Sequence, residues 1–415
     1  MAPEGTRHML VLEPDARGHA LEWLTHLARC TRGLSLRLSM AVAPGLATPL
    51  AEMMAAESID DIRVATLAPG EVAGCLASRL ATSAFSRWRA MGRYARDCGA
   101  DTGFFLGLDH LSLPLALQLP THGLRLAGIL FRPSVHYPSL GPYRPGAAER
   151  LRDVRKRLLY PAMLRHPALA ALFSLDPYFT PYARRHYRHG SKVHTIPDPA
   201  APLPAGLVAT SPAVRFPVAR TRFVLFGSLT ERKGVFALIE ALARLEPEIA
   251  RKIAVAIAGQ VDPAIRAELR TRLRKLSATR PELWLRLVDR WLSDREVATL
   301  VEASDAVLAP YQRFVGSSGV LLWAAKLGRP IVTQSFGLLG RFARDYRLGL
   351  AVDTTNPSEI ADAIARIARS GPASVADPAG MARFAANRSP GDFVATIVDR
   401  LVEAKAPTPI AERAA

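Results

Sequence analysis

The sequence predicts an α/β protein of two Rossmann-like domains, each a doubly wound parallel sheet. Three observations lead there. Short apolar runs alternate with segments of helical periodicity along the whole chain, as strand–helix–strand units require. The alternation breaks once, at Pro197 to Pro217, where Pro197, Pro199, Pro202, Pro204, Pro212 and Pro217 accompany much alanine and almost no charge; this reads as an interdomain linker. The length of 415 residues suits two or three domains at roughly 100–200 residues each. The expected division is an N-terminal domain over 1–198, a linker over 199–220, a C-terminal domain over 221–390, and a last helix and tail over 391–415, frayed from about Ala404.

Taken in order, the strands expected in the first half are Met9–Glu13, Leu36–Val42, Val64–Leu67, Gly103–Leu108, Ala127–Phe131, Ala171–Leu175 and Lys192–Ile196. Those of the second half are Arg222–Phe226, Ile253–Ala258, Trp284–Val288, Ala306–Ala309, Pro330–Thr333 and Gly349–Val352. Helices are clearest in the second half. Val235, Leu238, Ile239, Leu242 and Leu245 recur at helical spacing. Ser293 with Glu296 forms a capping box ahead of Val297, Leu300 and Val301. Asn356, Pro357 and Glu359 open another helix as N-cap, N1 and N3, with Ile360, Ile364 and Ile367 on its inner face.

Hydrophobic residues make up 49% and charged residues 22%, which is ordinary for a soluble globular chain. The three cysteines, Cys30, Cys75 and Cys98, are widely spaced; no disulfide framework or zinc spacing follows, and a cytoplasmic location is expected. Met1 to Arg7 leads directly into the run Met9 to Leu12, too brief for a signal peptide. No apolar stretch reaches the ~18 residues that span a bilayer. The net charge of +17 implies an anionic partner, although an Ala- and Arg-rich composition accounts for it equally well.

Ligands of open parallel sheets bind outside the carboxyl ends of the strands. The first such place is Phe226-Gly227-Ser228-Leu229-Thr230-Glu231-Arg232-Lys233-Gly234, where a turn brings free amides and two cations to a helix start. That is an anion site in which Arg232 grips phosphate bidentately and Lys233 acts as a point charge. The plainer reading is a solvated turn with two surface cations. The second place is Phe314 to Val320, where Ser317, Ser318 and Gly319 open a helix; a serine there serves as N-cap, as a phosphate donor, or as both. Gly337-Leu338-Leu339-Gly340-Arg341 is a third, weaker candidate.

These motifs, in this order, resemble the donor half of a GT-B glycosyltransferase of the glycosyl-transferase group 1 family. The resemblance rests on FGSLTERKG, LSDREVATLVEASDAVLAPYQ, GSSGVLLWAAKLGRPIVTQ and LGLAVDTTNPSEIADAIARI, and covers roughly Thr221 to Ala368. EPDARGHALEWLTHL is similar, more loosely, to the Gly-His loop after the first strand of some of these enzymes. The resemblance implies two Rossmann-like domains facing a cleft. It also implies transfer of a hexose-like sugar from a nucleotide-diphosphate sugar to a glycan, lipid-linked or small-molecule acceptor, as in polysaccharide biosynthesis. Anomeric configuration would be retained, with no metal and no other cofactor. Gly227, Arg232, Lys233, Ser317, Ser318 and Gly319 would hold the donor diphosphate. One departure stands out. The family's two donor-helix glutamates are replaced by Val315 and Trp323, so a catalytically inactive GT-B binding or scaffold protein is the alternative, and a GT-B phosphorylase or epimerase a weaker one.

On the acceptor side three loops follow strands: Gly18-His19, Asp109-His110, and Arg132 to His136. A histidine at a strand end hydrogen-bonds a sugar hydroxyl or assists proton movement; each is also an ordinary structural residue. The catalytic candidates are His136, Arg132 and His110, with Gly18 and His19 as an acceptor-side loop. Arg150, Arg152, Arg155, Lys156, Arg157 and Arg165 interleave with Leu151, Val154, Leu158, Leu159 and Met163. This stretch reads either as a solvated amphipathic helix or as peripheral contact with the inner face of an anionic membrane. Arg184, Arg185 and Arg188 form a second basic cluster without a nucleic-acid signature, so no nucleic acid is expected.

Overall fold

The computed structural model describes residues 7–142, 145–199, 213–386 and 388–403. Most of the proline-rich stretch and the tail from Ala404 lie outside these residues. The described chain divides into two compact units. Unit 1 takes Met1–Val135, Pro145–Pro199 and Arg388–Ala415; unit 2 takes His136–Arg144 and Ala200–Asn387.

Unit 1 holds seven strands, β1 (Arg7–Glu13), β2 (Leu36–Val42), β3 (Arg63–Thr66), β4 (Thr102–Phe105), β5 (Arg125–Leu130), β6 (Leu169–Ser174) and β7 (Val193–Thr195). They order as β3-β2-β1-β4-β5-β6-β7 and every pairing is parallel. Unit 2 holds β8 (Thr221–Phe226), β9 (Ile253–Ala258), β10 (Trp284–Val288), β11 (Ala306–Ala309), β12 (Ile331–Gln334) and β13 (Gly349–Val352). Their order is β10-β9-β8-β11-β12-β13, again all parallel. In both sheets the strand order reverses beside the first strand, between β1 and β4 and between β8 and β11. Such switch points open a crevice at the strand carboxyl ends.

Each expected strand is present, because a parallel strand covered on both faces reads as an unbroken apolar run. In β9 all six residues are fully buried. The expected strand Gly103–Leu108 is shorter, since the chain turns into a 3-10 helix at Leu108. The carboxylate of Asp109 there accepts the amides of Phe131 at 2.8 Å and Arg132 at 3.1 Å, fixing the turn after β4 to the one after β5.

One face of the first sheet is covered by α1 (Ala20–Cys30), α2 (Pro44–Ala56) and the last helix, Pro390–Glu403. Phe393 of that last helix is fully buried and packs on Trp23 with ring centroids 5.2 Å apart. The helix after residue 388 thus completes the N-terminal core. The other face carries the helices Leu80–Cys98, Ser112–Ala116, Ala147–Leu164 and Phe179–His186.

In unit 2 the capping box of Ser293 and Glu296 forms as expected. Asn356 caps its helix through Ser358 N, while the Glu359 carboxylate turns to the amide of Asp353 at 2.8 Å. Asp305, just ahead of β11, accepts both the amide and the guanidinium of Arg222 on β8. Burial works against its ionisation, but these bonds prevail and its pKa is lowered. The aspartate thereby locks the two strands of the switch point together.

Two glycines mark very close backbone approach beneath that point. A Cβ at Gly259 (φ +141°) would lie 1.8 Å from the Gly227 carbonyl oxygen, and one at Gly234 (φ +77°) would lie 1.8 Å from the Pro310 carbonyl oxygen. Gly99 is left-handed, with φ +71° and ψ +30°, and has nothing within 4 Å of a Cβ. Gly99→Ala therefore pays only the left-handed backbone penalty of about 1–2 kcal/mol, whereas Gly259→Ala should cost clearly more. Urea unfolding of the two variants checks this; equal losses would contradict the clash.

Candidate functional site

The carboxyl end of β8 runs into the Gly227 turn, then a 3-10 turn over Glu231–Lys233, and only after Gly234 into the helix Val235–Arg244. The 3-10 turn folds the Lys233 side chain back over the loop. A Cβ at Gly227 would touch Lys233 Nζ at 3.2 Å, so a side chain there would compete with the lysine. Lys233 Nζ donates to Tyr311 Oη at 2.7 Å and sits 4.7 Å from the tyrosine ring centroid. Tyr311 Oη in turn lies 2.6 Å from Ser318 Oγ. Ser318 is the N-cap of the helix Gly319–Lys326, accepting from Val320 N. The capping reading and the anion-site reading of this serine therefore share one geometry.

Arg232 lies beside this chain, its guanidinium 4.5 Å from the Phe314 ring centroid. Phe314 stacks on Tyr311 at 5.0 Å. The loop carrying both aromatics is fixed by buried polar groups. Gln334 exchanges hydrogen bonds with Phe314 N and O, at 2.9 and 2.7 Å. Thr354 Oγ1 donates to Tyr311 O, and Gln312 Nε2 donates to Pro310 O and Thr354 O. Buried amides and hydroxyls paired in this way hold an irregular loop in a single conformation. Six donor-side candidates, Gly227, Arg232, Lys233, Ser317, Ser318 and Gly319, thus fall on two adjoining loops at one switch point. Tyr311, Gln334 and Thr354 were not singled out in the sequence. The Pro310-Tyr311 pair at the end of β11 was the available signal for the first; nothing in the pattern marked the others.

The third loop opens the helix Gly337–Asp345. The segment from His136 groups with unit 2, not with the sequence-adjacent N-terminal domain. Tyr137 is fully buried, accepts the amide of Gly316 at 3.1 Å, and lays its ring over Gly337. Arg344 Nη2 donates to Leu140 O at 2.5 Å. His136 is itself buried, edge-on to Tyr137. The candidates His136, Arg132 and His110 are therefore divided: His136 counts with unit 2, Arg132 and His110 with unit 1.

Unit 1 has its own polar cluster at its switch point. Gly18 and His19 follow β1; His19 Nδ1 is 3.1 Å from Glu22 Oε2, and its ring stacks near Trp23. Burial opposes ionisation of Glu22, but hydrogen bonds from His19 and His26 outweigh it and hold the carboxyl at about 2. His110 reaches solvent, yet desolvation of its inner side and the charges of Arg87 and Arg132 lower its pKa. The sequence reading missed Glu13. It ends β1, is buried, and accepts the Asp15 amide at 2.8 Å. Burial pushes its carboxyl up to about 7, against the Asp15 hydrogen bond and the buried charge of Arg87. Read as the last residue of a strand, it gave no pattern signal. Among the described residues no three His, Cys, Asp or Glu side chains cluster as metal ligands would.

Residues 220–370 match the family described as Glycosyl transferases group 1. Among solved structures, HepE of Anabaena in complex with UDP is 16% identical, with a TM-score of 0.65 over 95% of this chain and 99% of that chain. Sucrose-phosphate synthase of Thermosynechococcus elongatus is 17% identical, with a TM-score of 0.64 over 95% and 97%. A UDP-forming trehalose-phosphate synthase of Burkholderia xenovorans is 14% identical, with a TM-score of 0.65 over 96% and 99%. No curated protein sequence matches the chain. The fold is GT-B, as in these structures.

The raised carboxyl of Glu13 has a thermodynamic consequence. Its folded pKa of about 7 exceeds the ordinary 4.5, so folding favours the protonated form, and this contribution is lost as pH rises through about 7. Unfolding midpoints of the wild type and Glu13→Gln, taken between pH 5 and pH 8, should diverge, with the wild type losing relative stability at high pH. Parallel pH profiles would contradict a buried, uptitrated Glu13.

Proposed function

We propose that the domain containing residues 220–370 binds a nucleoside diphosphate sugar, and that the chain transfers the sugar to a hydroxyl of a glycan, lipid-linked or small-molecule acceptor. The observation that carries the reading is the Lys233–Tyr311–Ser318 chain beside Gly227, which gathers a lysine, a helix N-terminus and Arg232 at one strand-end crevice. In transfer, the bond from the anomeric carbon to the diphosphate breaks and a bond to the acceptor oxygen forms, leaving negative charge on the departing phosphate. Arg232, Lys233 and the N-terminus of the helix beginning at Gly319 would stabilise that charge, with the Arg232 guanidinium turning from the Phe314 ring toward it. Retention of configuration and independence from a metal are part of the proposal. The HepE structures hold UDP, glucose and UDP-glucose, and UDP-glucose is therefore the first donor to test. On the acceptor side we assign Glu13, His110 and Arg132 to the cluster at the β1–β4 switch point, with Gly18 and His19 on the adjoining loop. His136, being buried, is assigned a positioning role for the Tyr137 loop.

A second reading has its own support. Val315 and Trp323 stand where carboxylates are usual in the family, so a binding protein without turnover is its natural form. Calorimetry and product analysis separate the two. With UDP-glucose, the wild type should bind and release UDP to an acceptor, and release should persist in EDTA. Arg232→Ala with Lys233→Ala should weaken donor binding by about 100-fold, the loss of two charge-assisted contacts. Binding without release favours the second reading, and no binding of any nucleoside diphosphate sugar removes both.

A further inference from the structure

No helix among the described residues is long and apolar enough to cross a membrane. One helix nevertheless shows water a surface that a solvated helix has no reason to carry. The helix Ala147–Leu164 packs its inner face, Asp153, Tyr160, Met163 and Leu164, into unit 1. Its rotation is fixed by polar contacts: Ser134 Oγ donates to Asp153 Oδ1 at 2.5 Å, and Lys156 Nζ donates to Arg132 O and Ser134 Oγ. Leu151, Val154 and Leu158 then face outward, 72%, 51% and 71% exposed. Their spacing of three and four residues aligns them in one stripe.

At 100° per residue, Arg150 and Arg157 lie on one shoulder of the stripe and Arg155 on the other, with Arg152 farther round the exposed side. None of these four forms an ion pair among the described residues. The helix's two acids are turned away from the stripe: Glu149 caps Gly146 N, and Asp153 points inward. Gln118 Nε2 donates to Ala162 O, which brings the neighbouring Leu117, itself 57% exposed, to the far end of the same helix.

An apolar stripe flanked by long cationic side chains suits the boundary between lipid headgroups and acyl chains, where the arginine stems lie along the apolar surface and their heads reach phosphate. A second copy of this chain fits poorly. Self-pairing would set the flanking Arg150, Arg155 and Arg157 against the same three, on a protein already carrying +17. We propose that this helix lies on an anionic phospholipid surface, with Leu151, Val154 and Leu158 entering the interface and Arg150, Arg155 and Arg157 meeting the lipid phosphates. The proposal stands independently of the donor reading.

Vesicle flotation with the full chain tests it. The wild type should float with phosphatidylglycerol-containing vesicles, stay unbound with pure phosphatidylcholine, and be released by salt. Leu151→Glu with Leu158→Glu should weaken binding by about 10-fold or more, with circular dichroism and melting temperature unchanged because both positions are exposed. Arg155→Gln with Arg157→Gln should reduce binding and its salt dependence, and soluble glycerol phosphate should not displace the wild type. The proposal is overturned if the wild type does not float, if the leucine variant floats as well as the wild type, or if sedimentation shows that the stripe holds together a dimer.

Discussion

The turn leaving β8 passes its neighbours at a distance that leaves no room for a Cβ. Gly259 lies against the Gly227 carbonyl and Gly234 against the Pro310 carbonyl. Much of unit 2 follows from that proximity. It forces a 3-10 turn between Thr230 and Gly234, which sends Lys233 back over Gly227. It also brings the end of β11 close enough for Tyr311 to reach the lysine on one side and Ser318 on the other. Gln334, Gln312 and Thr354 then keep the aromatic loop from collapsing into this space. A lysine, a helix N-terminus and an arginine on an aromatic face are thereby gathered at one strand end, the arrangement on which the proposed stabilisation of a leaving phosphate rests.

The two units use the same topology for different electrostatics. At the β8–β11 switch point the recurring theme is positive charge, from Arg232 and Lys233 beside a helix start capped by Ser318. At the β1–β4 switch point it is a mixed cluster, with Glu13 buried next to the charge of Arg87 and His110 among Asp109, Arg87 and Arg132. Burial raises the Glu13 carboxyl and lowers the His110 imidazole, so each is shifted toward its uncharged form, and perturbed groups of this kind gather at functional sites. That difference is the reason for assigning donor binding to one and acceptor chemistry to the other.

The strands were legible because both sheets are parallel and covered on both faces, so each strand announced itself as an apolar run. The helix caps at Ser293 and Asn356 were legible because capping is local. The two loops that carry the donor-side candidates were readable as strand-end turns from glycine and serine placement. What escaped is non-local. Nothing in the periodicity of Phe393 or Ile397 says that they return to the first unit's core, and nothing in Tyr137 says that it joins unit 2. Glu13 looked like a strand terminus because its burial depends on the elements packed around it. Gln334 and Thr354 act through backbone groups of another loop, a relation that sequence spacing does not carry.

A crystal structure of the protein with UDP tests most directly the proposal that Lys233, Tyr311 and Ser318 frame a diphosphate pocket. The diphosphate oxygens are expected within about 3 Å of Lys233 Nζ and of the amides at the start of the helix Gly319–Lys326, with the Arg232 guanidinium turned toward them. UDP bound elsewhere on the chain, with the Lys233–Tyr311–Ser318 chain untouched, would contradict it.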